Sequence, residues 1–367
     1  MQINKITDSQ RKDSRIRLIT SFGLLAVVFP AGLFGNYAFL ALIVFLSFFA
    51  TKELLEVPGK LKYNISVKIV VFIFVFSFIF WTFIKSSLQG SSVLIGSNIT
   101  LPQVFISLLA IMLYALTLFF IGICDRKFQL ADITYLFTMG LILALGFQGL
   151  LYLRLFPNGL GLNFNIDKRV RLSIVSSAYS TYGTYFSDYY TKVVGTHQDL
   201  ASCILFAYTL IGVWLSDVGA YVTGMFFGKH RMNPRISPHK TWEGFFGGIL
   251  FSVVFSLGFA LLMEFVFKLP LIPGILQFSY SPLLASLNVA KGHGWVFIVA
   301  LSLIMPTISA LGGLLFSLIK RTYGIKDFGK IFPGHGGVID RFDSVLISSI
   351  AMAILIQFTV SGWSFLL

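Results

Sequence analysis

Apolar runs alternate with short charged breaks along most of the chain. The runs fall at about Leu18–Phe34, Asn36–Ala50, Ile69–Ile84, Val104–Ile123, Ile133–Leu153, Ala201–Val222, Phe245–Phe267, Trp295–Ile319 and Val345–Val360. Most approach the roughly 20 residues that a helix needs to cross a bilayer. Inside hydrocarbon each backbone N–H and C=O must be satisfied within the protein, so every run is expected to be a helix. The pattern therefore predicts an all-α polytopic integral membrane protein with about nine transmembrane helices. The second run is expected to end near Ala50, leaving Lys52, Glu53, Glu56, Lys60, Lys62 and Lys68 in a loop. One break is different in kind. Residues 154–200 are rich in Tyr, Ser, Gly and Asn and too long for a simple connection, so they read as an extramembrane insert. The chain thus divides into helices one to five (1–153), the insert (154–200) and a C-terminal region with helices six to nine (201–367).

Composition supports this reading. The chain is 56% hydrophobic and only 12% charged, against roughly 25% charged in an average soluble domain. A net charge of +13 would suit nucleic acid, but here Lys and Arg gather in short loops on alternate breaks. Positive-inside orientation and anionic headgroups account for that, with no nucleic acid partner. The same rule puts the N-terminus in the cytoplasm and the C-terminus outside. The insert carries Arg154, Lys168, Arg169, Arg171 and Lys192 on the outer side, and long loops translocate largely regardless of charge. The basic N-terminal segment leads into a run too long for the core of a secretory signal, so a retained first helix is expected. With no targeting signal, a bacterial cytoplasmic membrane is favoured, and a eukaryotic internal membrane stays open. Two cysteines, Cys124 and Cys203, make no disulfide framework.

Orientation brings the two densest polar motifs, Ser216–Gly248 and Ser317–Ser344, to one cytoplasmic face. In the first, Asp217 lies in apolar surroundings, where a carboxylate is costly and usually functional. Ser237-Pro238-His239-Lys240-Thr241-Trp242-Glu243-Gly244 sets a hydroxyl, a cation and a carboxylate at a helix start. Free N–H groups there bind phosphate, although Glu243 serves a helix cap equally well. In the second motif, Lys320, Arg321 and Lys326-Asp327 precede the turn Pro333-Gly334-His335-Gly336-Gly337. Its glycines let the backbone approach an anion closely, and His335 is placed to donate to a phosphate oxygen or a leaving group. Asp340 and Asp343 stand three apart, on one face of the next helix. Two carboxylates facing Lys and Arg fit Mg²⁺ shared with substrate phosphates. No Walker A motif, zinc spacing or Gly-x-Ser-x-Gly elbow is present. The residues thus point to phosphoryl or nucleotidyl transfer at a membrane surface.

The arrangement Ser317-x-x-Lys320-Arg321, Lys326-Asp327, Pro333-x-His335-Gly336-Gly337-x-x-Asp340-Arg341-x-Asp343 resembles the signature of the phosphatidate cytidylyltransferases (CDP-diacylglycerol synthases). Ser216-Asp217-x-Gly219-Ala220-Tyr221 and the Ser237–Gly244 stretch are similar to further landmarks of that family. The resemblance covers the chain from about Gly212 onward. It implies transfer from CTP to phosphatidate, giving CDP-diacylglycerol and pyrophosphate, with Mg²⁺ and in a homodimer. On that resemblance Asp340, Asp343 and Asp217 are metal candidates, with Asp327 a further carboxylate. Lys320, Arg321, Lys326 and Arg341 would hold phosphates, with Ser317 beside them. Ser237, Lys240 and Glu243 would form the opposite wall, and His335, Gly336 and Gly337 would serve the pyrophosphate. Many bacterial members read Gly-Asp-Leu-x-Glu-Ser before the signature, whereas this chain has Gly312-Gly313-Leu314-Leu315-Phe316-Ser317. An acid is thus replaced at Gly313 and at Phe316, which opens the identity of any second metal. A catalytically altered relative and a lipid or ion transporter are the competing readings.

Overall fold

The computed structural model describes residues 23, 26–59, 62–88, 103–155, 198–267, 294–332 and 336–361. A helical stretch at 26–34 precedes α1 (Asn36–Glu56), α2 (Ile65–Leu88), α3 (Gln103–Cys124), α4 (Leu130–Leu155) and α5 (Gln198–Phe227). A two-stranded antiparallel hairpin follows, β1 (Arg231–Asn233) and β2 (Ser237–Thr241). Then come α6 (Trp242–Leu261), closed by a π-helical turn at Leu262–Val266, α7 (Gly294–Thr322) and α8 (Ile339–Ser361). Among the described residues, seven helices, α1 to α7, are long and apolar enough to cross a membrane. The protein is a helical integral membrane protein, and most of the expected insert lies outside the described residues.

The helices overrun the apolar runs that announce them. A hydropathy run stops at the first charge, but a helix continues while its hydrogen bonds can be made and its residues favour it. So α1 reaches Glu56, and the expected loop residues Lys52 and Glu53 are helical. Buried residues follow one stripe on α1: Phe39, Ile43, Leu46, Ala50, Glu53. The spacing is four, three, four, three, the period of one helical face. Glu53 therefore falls on the core side. Likewise α4 runs to Leu155, so Arg154 sits in its last turn rather than in the insert. That guanidinium is 1% exposed and donates to the carbonyl oxygens of Gly32 and Leu33, at the end of the 26–34 helix. The α8 helix starts at Ile339, six residues before its apolar run, and takes in Asp340 and Asp343.

Small residues let the helices pack closely. On α6, an added Cβ at Gly244 or Gly248 would run into the α5 backbone at Ala220 or Ser216, and at Gly247 into Thr223. On α4, Gly146 and Gly149 lie against Leu346 and Ser349 of α8, and the Ser349 hydroxyl donates to Gly146 O (2.8 Å). The N-terminal helices thereby grip α8, which carries half of the polar site. The hairpin was unforeseen in an all-α reading. It turns the Ser237–Thr241 stretch from an expected helix start into a strand, and only Thr241 caps α6, accepting from Gly244 N (3.1 Å).

Candidate active site

The site is built where α5, α7, α8 and the hairpin meet. At the end of α7, Lys320 projects toward the start of α8. Its ammonium lies 3.0 Å from Asp340 Oδ1, with side chains only 15% and 4% exposed. The same ammonium sits over the Phe328 ring. The second oxygen of Asp340 accepts from Phe328 N (2.7 Å) and Gly337 N (2.9 Å). Asp340 therefore closes the loop between α7 and α8 while holding the lysine. A further bond, Phe332 N to Gly336 O (2.9 Å), pinches the turn, and Gly336 takes a positive φ of 85°. That conformation suits glycine, which has no Cβ to clash. Pro333, Gly334 and His335 lie outside the described residues, so the role expected for His335 is not located.

Asp343 and Asp217 come together from α8 and α5. The Ser344 hydroxyl lies 3.0 Å from Asp217 Oδ2 and 3.3 Å from Asp343 Oδ1. A single hydroxyl proton cannot fully serve both, so two carboxylates share one donor. Asp217 is also within electrostatic reach of Lys240 and Arg341. Lys240 comes in from β2, with its ammonium 3.5 Å from Ala310 O of α7 and beside Gly313. Burial holds Lys240 below the ordinary lysine range, with Lys320 adding to that and the charges of Asp217 and Asp343 opposing it. A cation that is costly to bury and lies close to two acids is a ready partner for an incoming polyanion.

Other expected residues are more peripheral. Arg321 is exposed and donates to Ile236 O of the hairpin turn (3.3 Å). Arg341, Lys326 and Asp327 are exposed. Ser317 donates to Gly313 O (2.7 Å) within its own helix. Glu243 reaches back to His230, accepting from its backbone N (3.2 Å) and lying 2.6 Å from Nδ1. It braces the hairpin against α6. Ser237 is half-buried at the head of β2. Phe316 is fully buried against Phe328, so this position is part of the apolar core.

Two participants were missed from the sequence. Ser344 closed the second polar motif and was given no role of its own. Glu53 was placed in a loop, yet it is 5% exposed and its oxygens accept from Val338 N (2.9 Å) and Ile339 N (3.0 Å). The seven-residue interval Phe39, Leu46, Glu53 was the available signal.

Among the described residues, no group of three or more His, Cys, Asp or Glu is arranged to hold a metal ion alone. Asp217 and Asp343 form a pair. Mg²⁺ typically takes one or two carboxylates and completes its shell with substrate phosphates and water, so the pair fits an ion shared with a phosphorylated substrate. Asp340, expected as the first metal ligand, instead directs its oxygens to Lys320 and two backbone N–H groups.

Comparison with known proteins identifies the family. The sequence model of the Cytidylyltransferase family matches residues 15–359. Over 173 residues the chain is 36% identical to phosphatidate cytidylyltransferases of Staphylococcus saprophyticus and Staphylococcus aureus, covering 47% of this chain and 54% of each relative. A Staphylococcus epidermidis protein of the same name is 33% identical over 186 residues, covering 50% and 61%. The chain thus spans little more than half the length of the relatives it matches. A match over nearly the whole chain, joined to a site of converging lysines and carboxylates at the start of α8, places this protein in the cytidylyltransferase family.

Proposed function

We propose that this protein transfers a cytidylyl group from CTP to phosphatidate, giving CDP-diacylglycerol and pyrophosphate for phospholipid biosynthesis. The observation that carries this reading is the meeting of Lys240 and Lys320 with Asp217, Asp343 and Asp340 where α5, α7, α8 and the hairpin join. The lipid phosphate needs no strong general base. A phosphomonoester has a second pKa of about 6 and is largely dianionic at neutral pH. Its oxygen attacks the α-phosphorus of CTP. A new P–O bond forms as the bond to the β-phosphate oxygen breaks, and pyrophosphate leaves with the electron pair. The protein's task is to bring two polyanions together in line and neutralise the spreading charge. Lys320, held by Asp340, and Lys240, which reaches Ala310 O and feels the charges of Asp217 and Asp343, supply positive charge. Arg321, Lys326 and Arg341 add exposed charge at the rim. Asp217 and Asp343 would hold Mg²⁺, which when bound offsets phosphate charge.

The loop charges support nine spans with the N-terminus and this face in the cytoplasm. We reach that number by counting α8 and the first hydropathy run, about Leu18–Phe34, with the seven apolar helices. The bacterial relatives favour a bacterial cytoplasmic membrane, and a homodimer is the assembly we expect. The test is pyrophosphate release by the purified protein in detergent, with CTP and Mg²⁺, with and without phosphatidate. Release that requires both lipid and metal is the expected result. Release independent of phosphatidate, or none with any phosphorylated lipid, would overturn the reading.

A further inference from the structure

We infer that Glu53 is a positioning residue for this site, the strut by which the N-terminal helices set the start of α8. The inference rests on the reaction proposed above. It begins from a buried carboxylate that the reaction does not use. Glu53 lies on the core stripe of α1 and is 5% exposed. Its Oε1 accepts from Val338 N at 2.9 Å and its Oε2 from Ile339 N at 3.0 Å. These N–H groups open α8, where a helix has no internal partners for its donors and its dipole favours negative charge.

The loop leading into α8 is shaped around the same carboxylate. A Cβ added at Gly329 or at Gly337 would collide with the Glu53 oxygens. Asp340 grips the loop from the other side, through Phe328 N and Gly337 N. Four backbone donors of one loop are thus divided between two carboxylates. Asp340 belongs to the site and holds Lys320. Glu53 comes from the far half of the chain. Asp340 and Asp343 are the second and fifth residues of α8, so any change in where that helix begins, or how it is turned, moves both. A displacement of about 1 Å of reacting groups can cost roughly 100-fold in rate. The N-terminal helices therefore take part in catalysis through geometry, beyond their role as membrane scaffold.

The test compares wild type with Glu53→Gln and Gly329→Ala. The glutamine keeps the volume but offers one acceptor where two donors wait. The alanine leaves Glu53 intact and pushes its carboxylate aside. Expected for Glu53→Gln is a fall in kcat of about 10- to 100-fold with KM for CTP within about threefold, per folded molecule. Gly329→Ala should fall in the same direction by less. Amide hydrogen exchange across 328–342 should quicken in both, while α2 and α3 are unchanged. A role in folding alone would lower thermal stability and leave kcat per folded molecule and that exchange pattern at wild-type values, and this outcome overturns the inference. If Glu53→Gln does not fold, Gly329→Ala decides by the same two readouts. Absence of pyrophosphate release from wild type would count against the proposed reaction, and the exchange measurement would then decide the positioning role by itself.

Discussion

A methyl group on Gly313 would come within 2.8 Å of the Lys240 ammonium nitrogen. The lysine of the hairpin thus reaches α7 at a position where glycine leaves room for its ammonium. The space that a side chain at 313 would fill is taken here by a positive charge. Gly313→Ala should displace a flexible side-chain end rather than the backbone. Removing a glycine from a helix interior is worth about 0.5–1 kcal/mol in favour of the helix. We therefore expect unchanged or slightly raised thermal stability together with an activity loss of about tenfold, measured by unfolding in detergent and by pyrophosphate release.

Asp217 and Asp343 share the Ser344 hydroxyl. Asp217→Asn and Asp343→Asn each remove one charge from the pair proposed to hold Mg²⁺. Each should raise the Mg²⁺ concentration for half-maximal activity by about tenfold or more, roughly 1.4 kcal/mol of lost ion binding. Titration of activity with Mg²⁺ checks this. An unchanged Mg²⁺ requirement in both variants would move the ion elsewhere.

Asp340→Asn acts differently. It leaves the buried Lys320 ammonium without its counter-charge and puts an amide where an acceptor is needed. Breaking a buried pair by removing one partner costs about 3–5 kcal/mol. The variant should lose stability as well as activity. Adding the second change Lys320→Met should recover part of the stability and none of the activity, as read by thermal unfolding alongside turnover.

Lys240 gives the pH dependence its sign. Burial holds its ammonium below the ordinary lysine range. As pH rises, the charge is lost earlier than on a free lysine, so activity should fall along an alkaline limb below that range. Arginine stays charged throughout, and Lys240→Arg should move the limb upward even if peak activity is reduced. Stability runs the other way. Between the lowered value and the ordinary one the unfolded chain binds more protons, so this residue's contribution to stability rises with pH across that window. Rate and unfolding profiles in parallel check both signs.

Much of the site was legible because its chemistry is local in sequence. Asp340 and Asp343 stand three apart, and Lys320 and Arg321 are adjacent at a helix end. The turn around Gly336 announces itself by its glycines. Glu53 was legible only in hindsight. It lies on a helical stripe with Phe39 and Leu46, but a charge after an apolar run reads as the end of a membrane helix. The hairpin was hidden for a related reason. Five residues, Ser237–Thr241, carry no alternation strong enough to separate a strand from a helix cap, and pairing with Arg231–Asn233 decided it.

The sequence by itself determined a helical membrane protein, the approximate limits of its helices and the two polar motifs that carry its chemistry. These follow from hydropathy, chain length and fixed spacing, which need no knowledge of what lies across the bundle. Tertiary structure alone decided what each charge faces. It turned Asp340 toward Lys320 and two backbone donors, drew Asp217 and Asp343 to one serine, set Lys240 beside Gly313 and placed Glu53 under the start of α8. The physical reason is that a buried charge is held by partners, and here the partners of Glu53, Asp217 and Lys240 lie far along the chain.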